Sequence, residues 1–529
     1  MLHQKQTRSD NLDNQGSLFS DQFGCMVWSH SETHLLYVAE KKRPKTELYF
    51  QVTNGPETGL LGQQFEYYED WGEELVNKSS PVLCVLDIEG SNITVLEGIP
   101  TNISPGQAFW APNNTGLVFV GWWHEPFRLG LKYCANRRSS LFYVDLASGK
   151  CEQLSSNSSA VCSPRLSPDN CRIVYLECGV FGPHQQCSRL CMYDWYTKQT
   201  RVVVDAVQRA REDGFIGIYS SMLSPYCWSA GSQRVLMSCA QRCHKVLQLL
   251  SHTRAAFIIT RVGFLPAKGS ENKMSWVTLE ETQPQADISW QTLNFSPPPP
   301  ANTLVWTFYV ILLKPKEMTA GSKLPLIVMA HGSPHSVLVS EWFLSTAVPC
   351  KMGFSVLLGE EQLQCLPYTL KSVHQTHDLA FIHFFRRKCI TREPYIRVHL
   401  LQAMEEACLD ISVDACQGWI SVFVFRCMVE AGYEYNTDIH LEPAILEQML
   451  NKSPIKHVSK VKTPVLLMFG EDDKLVPSKQ GIEYYRALKA LQVPVRLLWY
   501  PGNNHSLSKV DAESDGLSNI FLCDITSSL

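Results

Sequence analysis

No long apolar run, no surplus of either charge and no cysteine framework mark this chain of 529 residues, and each lack removes a class of function. The longest apolar stretch, Leu304 to Leu313, is broken by Thr307 and falls far short of the roughly 18–20 residues that span a bilayer. Forty-seven Lys and Arg stand against 51 Asp and Glu, a net charge of −4, so nothing pulls the chain toward nucleic acid or an anionic membrane. The 19 cysteines are odd in number and scattered from Cys25 to Cys523. The pairs Cys187/Cys191 and Cys239/Cys243 have no histidines following at zinc-finger spacing, so reduced thiols are expected and neither a metal nor a cofactor is. Residues 1–22 are polar and have no apolar core of a signal peptide, which leads to the expectation of a flexible leader on a cytoplasmic protein. The sequons at Asn77 and Asn92 are then chance matches.

What is present is ordinary globular composition, 45% hydrophobic and 19% charged, with room for two sizeable domains. Four segments share one pattern of an aromatic residue or leucine, a small or Pro-containing turn, and an apolar strand. They begin at Trp28, Trp110, Leu166 and Trp228. Between them run strands that end in aspartate, Pro81 to Asp87, Leu141 to Asp145 and Leu190 to Asp194. The carboxylate and the Ser, Thr or Gly that follows can bond local backbone and close a hairpin. Recurrence at roughly 55–80 residues suits four-stranded propeller blades. A β-sandwich with coincidental turns is the competing reading, and the shared register of turn and outer hairpin favours the propeller. A seven-bladed ring at roughly 55 residues per blade needs about 385 residues, so the propeller expected over 23–300 is partial.

The run Ser296-Pro-Pro-Pro-Pro300 is a stiff break and the expected boundary with a second domain over 301–529. Beyond it the pattern changes to single buried strands separated by helices. Strands are expected at Thr307–Leu313, Leu324–Ala330, Phe354–Leu358, Val465–Phe469 and Val495–Tyr500, with helices at Trp342–Met352 and Gln480–Leu491. Continuous apolar strands alternating with helices imply a mainly parallel sheet covered on both faces, as in an α/β-hydrolase domain.

Three places in this second half could carry chemistry. His331-Gly332-Ser333-Pro334 follows a buried strand where α/β hydrolases place backbone N–H groups facing an oxyanion, although a tight Gly-Pro turn reads the same way. Asp473 lies in the turn Gly470-Glu-Asp-Asp473-Lys-Leu-Val-Pro477, after one strand, and His505 lies in Pro501-Gly-Asn-Asn-His505-Ser, after the next. Parallel neighbours bring those loops to one edge of the sheet. Asp473 can then accept the Nδ1–H of His505 and fix the tautomer in which Nε2 is the general base. A nucleophile on a G-x-S-x-G turn is missing between Leu358 and Asp473: Ser372, Ser412 and Ser421 lack flanking glycines, and Cys416 is a poor substitute. The stretch 359–426 lacks strand–helix alternation and does not read as part of the same sheet.

These residues together resemble the acylaminoacyl-peptidase family of the prolyl oligopeptidase group of serine peptidases. The resemblance rests on the His-Gly-x-Pro-His loop, the Gly-Glu-Asp-Asp-x-x-Val-Pro turn, the terminal Asn-His-Ser, and stretches such as Gly121-Trp-Trp-His-Glu-Pro-Phe-Arg-Leu-Gly130 and Leu190-Cys-Met-Tyr-Asp-Trp-Tyr-Thr-Lys198. It covers residues 23–358 and 427–515 and is most similar to vertebrate members. It implies a β-propeller followed by an α/β-hydrolase domain in a cytoplasmic, oligomeric enzyme that removes an N-acylated, mainly N-acetylated, residue from the N-terminus of short peptides. It also implies catalytic roles for Asp473 and His505 and an oxyanion role for Gly332 and Ser333. Three departures follow: the nucleophile turn is absent with 359–426 unlike the family, the first part of the propeller ahead of residue 23 is missing, and 516–529 does not resemble the closing helix. The chain is therefore expected to belong to the family and to be inactive as written. The alternatives are a non-catalytic isoform that binds peptides or enzyme subunits, and a misassembled gene product.

Overall fold

A computed structural model describes residues 15–18, 23–41, 67–125, 128–180, 186–207, 215, 217–220, 222–241, 244–250, 261–264, 275–278, 287–295, 308–317, 324–330, 343–359, 385–390, 454–462 and 464–525. The chain divides into two compact units, residues 1–180 with 190–203 and residues 181–189 with 204–529.

The first unit holds three antiparallel blades. One sheet carries Met26–Trp28, His34–Lys41, Pro81–Asp87 and Asn92–Val95. The next has Ile103–Trp110, Gly116–Trp123, Ser139–Asp145 and Cys151–Gln153, and the third Ser159–Leu166, Arg172–Gly179, Arg189–Asp194 and Gln199–Val204. The repeated Trp or Leu ends the first strand of each blade, and one turn follows it every time. The amides of Ser29, Ala111 and Ser167 donate to the carbonyl five residues on, while the amides of Glu32, Asn114 and Asn170 donate back to them. Those three sit at φ of 57°, 54° and 58°, the left-handed region in which a single residue reverses the chain. The Ser29 and Ser167 hydroxyls also accept the amides of His34 and Arg172, a bond Ala111 cannot make. The third strands end on the expected aspartates. Asp145 Oδ1 accepts the Ala147 and Ser148 amides, and Asp194 Oδ1 those of Tyr196 and Thr197.

Adjacent blades are joined by side-chain bonds that the repeat pattern does not announce. Trp110 Nε1–H donates to the Val27 carbonyl, and Ser139 Oγ accepts the Val161 amide at 2.7 Å. The first strands of the second and third blades each carry a bulge, and Gln107 Oε1 in one bulge accepts the amide of Ser163 in the other at 2.7 Å. Phe119, Leu117, Leu141 and Ile173 fill the core between them, with Phe23 packed edge-on against Trp71 and Trp122.

The second unit takes up the fourth repeat. Ser229 closes the same turn on Arg234, with Ser232 at φ 57°, and leads into the hairpin of Val235–Gln241 and His244–Leu250. A further hairpin pairs Arg261–Phe264 with Ser275–Thr278. A five-stranded sheet then runs, in spatial order, through Ile288–Phe295, Phe308–Pro315, Ser355–Gly359, Leu324–Ala330 and Phe385–Ile390. Beside it in sequence, Val465–Gly470 and Val495–Tyr500 form a parallel pair. The expected covering of both faces is seen at Val465–Gly470. Val465, Leu467 and Phe469 pack against Tyr484 and Leu488 of helix Ser478–Ala490. Leu466 and Met468 face the opposite way, toward Val356, Leu358 and Ile520 of helix Val510–Ile525. Glycine is needed at 481 because a Cβ there would strike the Phe469 ring.

Several expectations are corrected. Gln15–Leu18, placed in a flexible leader, is a strand paired with His34–Lys41, because that strand still has unpaired backbone groups beyond Met26–Trp28. The boundary at 296–300 falls late. Ile288–Phe295 already pairs along its whole length with Phe308–Pro315, so the run at 296–300, itself outside the described residues, connects two strands of one sheet. Among the described residues that sheet has one parallel pairing, Leu324–Ala330 with Ser355–Gly359, and its other pairings are antiparallel, in place of the mainly parallel arrangement expected. Phe385–Ile390, from the stretch set apart from the sheet, pairs antiparallel with Leu324–Ala330 and takes up that strand's open edge. The segment without the family's closing sequence is nonetheless helical within Val510–Ile525, through the apolar contacts of Leu517 and Ile520.

Burial makes several of the described cysteines poor nucleophiles. It pushes the Cys25 thiol up to about 12 and those of Cys84 and Cys350 up to about 11. No helix among the described residues is long and apolar enough to cross a membrane.

Candidate active site

Parallel register brings the two candidate loops together. Val465 lies opposite Val495 and Gly470 opposite Tyr500, so both strands end side by side and each hands its chain to a loop on the same edge. Two backbone bonds then tie loop to strand end and loop to loop: the Glu471 amide donates to the Tyr500 carbonyl at 3.1 Å, and the Asp472 amide to the Asn503 carbonyl at 3.0 Å. A side chain at 470 would collide with the carbonyl oxygens of Asn503 and Asn504, so only glycine permits this approach. Gly502, at φ 64°, supplies the left-handed residue that turns the second loop back.

On this base Asp473 Oδ2 meets His505 Nδ1 at 2.9 Å. The other carboxylate oxygen accepts the amides of Leu475 at 2.9 Å and Val476 at 2.7 Å. Three donors thus fix the Asp473 side chain, which is 3% exposed, while the His505 ring is 17% exposed and reaches the surface. Val476 is buried beside it and Pro477 ends the loop, so the turn passes straight into helix Ser478–Ala490. The chemistry available is that of an oriented imidazole. With Nδ1 held by a buried carboxylate, proton transfer falls to Nε2, and the carboxylate stabilises the imidazolium that results.

Of the four residues singled out from sequence, Asp473 and His505 are brought together, while Gly332 and Ser333 lie outside the described residues. The nucleophile segment expected between 358 and 473 also lies largely outside them. Sequence reasoning passed over Gly470 and Asn503. A glycine ending an apolar strand was the available signal for the first, and nothing in Asn503's type marks a loop-to-loop carbonyl.

Comparison with known proteins adds three findings. Residues 11–280 match the family described as acylamino-acid-releasing enzyme, N-terminal domain, and residues 425–521 match the prolyl oligopeptidase family. The stretch 281–424 lies outside both matches, and it contains all but the last two residues of 359–426, the region read as unlike the family. The chain is 46% identical to the acylamino-acid-releasing enzyme of Rattus norvegicus and 44% to that of Homo sapiens, in each case over 97% of this chain and 80% of the relative. Among solved structures, an acylaminoacyl peptidase of Pyrococcus horikoshii superposes with a TM-score of 0.61 at 12% identity, covering 95% of this chain and 81% of that one. An acylaminoacyl peptidase in complex with Z-Gly-Gly-Phe-chloromethyl ketone gives 0.62 over the same shares. At that identity the likeness speaks for the fold, a propeller followed by a hydrolase domain.

Proposed function

We propose a function from one premise: the chain belongs to the acylamino-acid-releasing enzyme family of serine peptidases. Its Asp473 and His505 are the carboxylate and the base of a triad built to cleave an N-acylated residue from the N-terminus of short peptides. The single observation carrying this reading is the 2.9 Å contact between Asp473 Oδ2 and His505 Nδ1, made at the ends of two parallel strands. In the family reaction the base takes the proton of a serine hydroxyl as it attacks the acyl-amino-acid carbonyl. Backbone N–H groups of the loop at Gly332 and Ser333 receive the oxyanion, and water then hydrolyses the acyl-enzyme.

This chain carries the proton-transfer half of that machinery without a G-x-S-x-G turn. Loss of a triad nucleophile costs on the order of 10⁶ in rate, so the chain binds N-acylated peptides in the cytoplasm, as a homo-oligomer, without appreciable turnover. The test is to treat the purified full chain with a fluorophosphonate probe, assay it on an acetyl-alanyl chromogenic substrate, and titrate it with an acetylated dipeptide. Saturable binding without labelling or turnover is the expected result. Covalent labelling with turnover overturns the inactivity, and failure to bind the acetylated peptide overturns the substrate class.

A further inference from the structure

We propose that Gly470 and Asn503 are positioning residues, which set the imidazole of His505 against Asp473 by locking the two loops backbone to backbone. The inference rests on the functional reading above for its relevance to catalysis, but its geometry stands apart from any activity.

The carboxylate and the imidazole come from separate loops, and two side chains on independent loops would hold a 2.9 Å contact poorly. What joins the loops is the main chain. The Asn503 carbonyl accepts the Asp472 amide, one residue before the carboxylate and two before the histidine in their respective loops. Each partner is therefore anchored within a residue or two of a shared hydrogen bond. The approach is close enough that a Cβ at 470 would overlap the carbonyl oxygens of both Asn503 and Asn504. Asn503 is itself 6% exposed, and its Nδ2–H donates to the Pro501 carbonyl at 3.2 Å, bracing the loop on its own chain. Its Oδ1 is buried without a hydrogen-bond partner among the described residues. A buried acceptor left so costs stability, and here the loss accompanies a side chain whose amide and main-chain carbonyl both hold the loop in place. A cost kept at a site is the kind of local inconsistency expected where geometry serves function.

The experiment reads the dyad directly. The full chain is labelled with ¹⁵N-histidine, and the hydrogen-bonded Nδ1–H resonance of His505 is assigned by its disappearance in His505→Gln. Gly470→Ala is expected to abolish that resonance, and Asn503→Leu to weaken it and speed its exchange with water. Gly481→Ala meets a comparable clash, with the Phe469 ring on the far side of the strand, and is expected to lower thermal stability while leaving the resonance in place. If Gly470→Ala fails to fold, Asn503→Leu decides alone. Retention of an unchanged resonance in the folded position-470 and position-503 variants overturns the proposal, as does its loss in Gly481→Ala. Because the signal reports the His505–Asp473 contact with no substrate present, failure to bind acetylated peptide counts against the functional reading only.

Discussion

The blades of the first unit and the Asp473–His505 corner of the second solve the same problem, holding polar turns in register at strand ends, in opposite ways. In the blades each turn is closed locally and repeated: Ser29 and Ser167 bond the amide five residues on, and Asp145 and Asp194 cap the next hairpin within three residues. At the site the bonds run between residues about thirty apart, from Glu471 to Tyr500 and from Asp472 to Asn503, and they are made once. Repetition tolerates the loss of one copy, as Ala111 shows by occupying a serine's place in an otherwise identical turn. A unique contact has no second copy to fall back on. It follows that damage to the blades should be graded by burial, whereas damage to the corner should be graded by geometry.

The sharpest way to break the blade side is to remove what its turns merely punctuate. Phe119 is fully buried and stacks on Phe142 with ring centroids 5.5 Å apart. Phe119→Ala is expected to cost about 3–5 kcal/mol, through lost transfer energy and the cavity left behind. Urea denaturation followed by the fluorescence of the buried Trp71, Trp110 and Trp122 measures it. A cost below that of a single turn bond would mean that local closure, and not the core, holds the unit.

On the other side, Asp473→Ala removes the acceptor of the buried Val476 amide, of the half-buried Leu475 amide and of the His505 ring N–H. The expected loss is about 1–3 kcal/mol, with all of it falling near the corner. Native-state hydrogen exchange checks this, since protection at 475 and 476 should drop while the blade amides keep theirs. A uniform drop across both units would erase the distinction between a unique contact and a repeated one.

Ser167→Ala comes next, removing the hydroxyl that accepts the Arg172 amide and donates to Asp169. About 1 kcal/mol is expected, the ordinary net worth of a hydrogen bond. The Ala111 turn, which does without the hydroxyl, predicts that the chain reversal survives. Thermal melting of Ser167→Ala beside Ser229→Ala would show whether the third blade and the fourth repeat value the hydroxyl alike.

The same contrast explains what could be read in advance. The strand-ending aspartates and the Trp/Leu turns were legible because their chemistry lies within five residues of sequence. Strands such as Val465–Gly470 were legible because both faces are apolar. The pairing of Asp473 with His505 was legible only through the parallel register of their strands. The Gln107–Ser163 bond, the clash that keeps residue 470 a glycine and the early start of the sheet at Ile288 were not, since each depends on backbones that meet only after folding. Ile288–Phe295 also mixes polar and apolar residues, as an edge strand does, and so lacked the continuous hydrophobicity that marked its neighbours.

The smallest effect concerns charge. The Ser148 hydroxyl, with the Ser148 and Ala147 amides, holds the Asp145 carboxyl below its ordinary range, and the Thr197 amide does the same for Asp194. A carboxyl depressed in the folded chain contributes stability that is present above its unfolded value, about 3.9, and that is lost as pH falls through the lower folded value. Both groups are exposed, so the contribution is slight and screened by salt. Asparagine keeps the acceptor oxygen that closes each turn and removes only the titration. The melting temperature of the Asp145→Asn/Asp194→Asn double variant should therefore fall less steeply than that of the unaltered chain below about pH 4, and the difference should shrink at high salt. Identical acid slopes would mean that these caps act through shape alone. The turns at Asp145 and Asp194 would then owe nothing to charge, in contrast to the buried Asp473 carboxylate, which faces the ring that becomes cationic when His505 takes a proton.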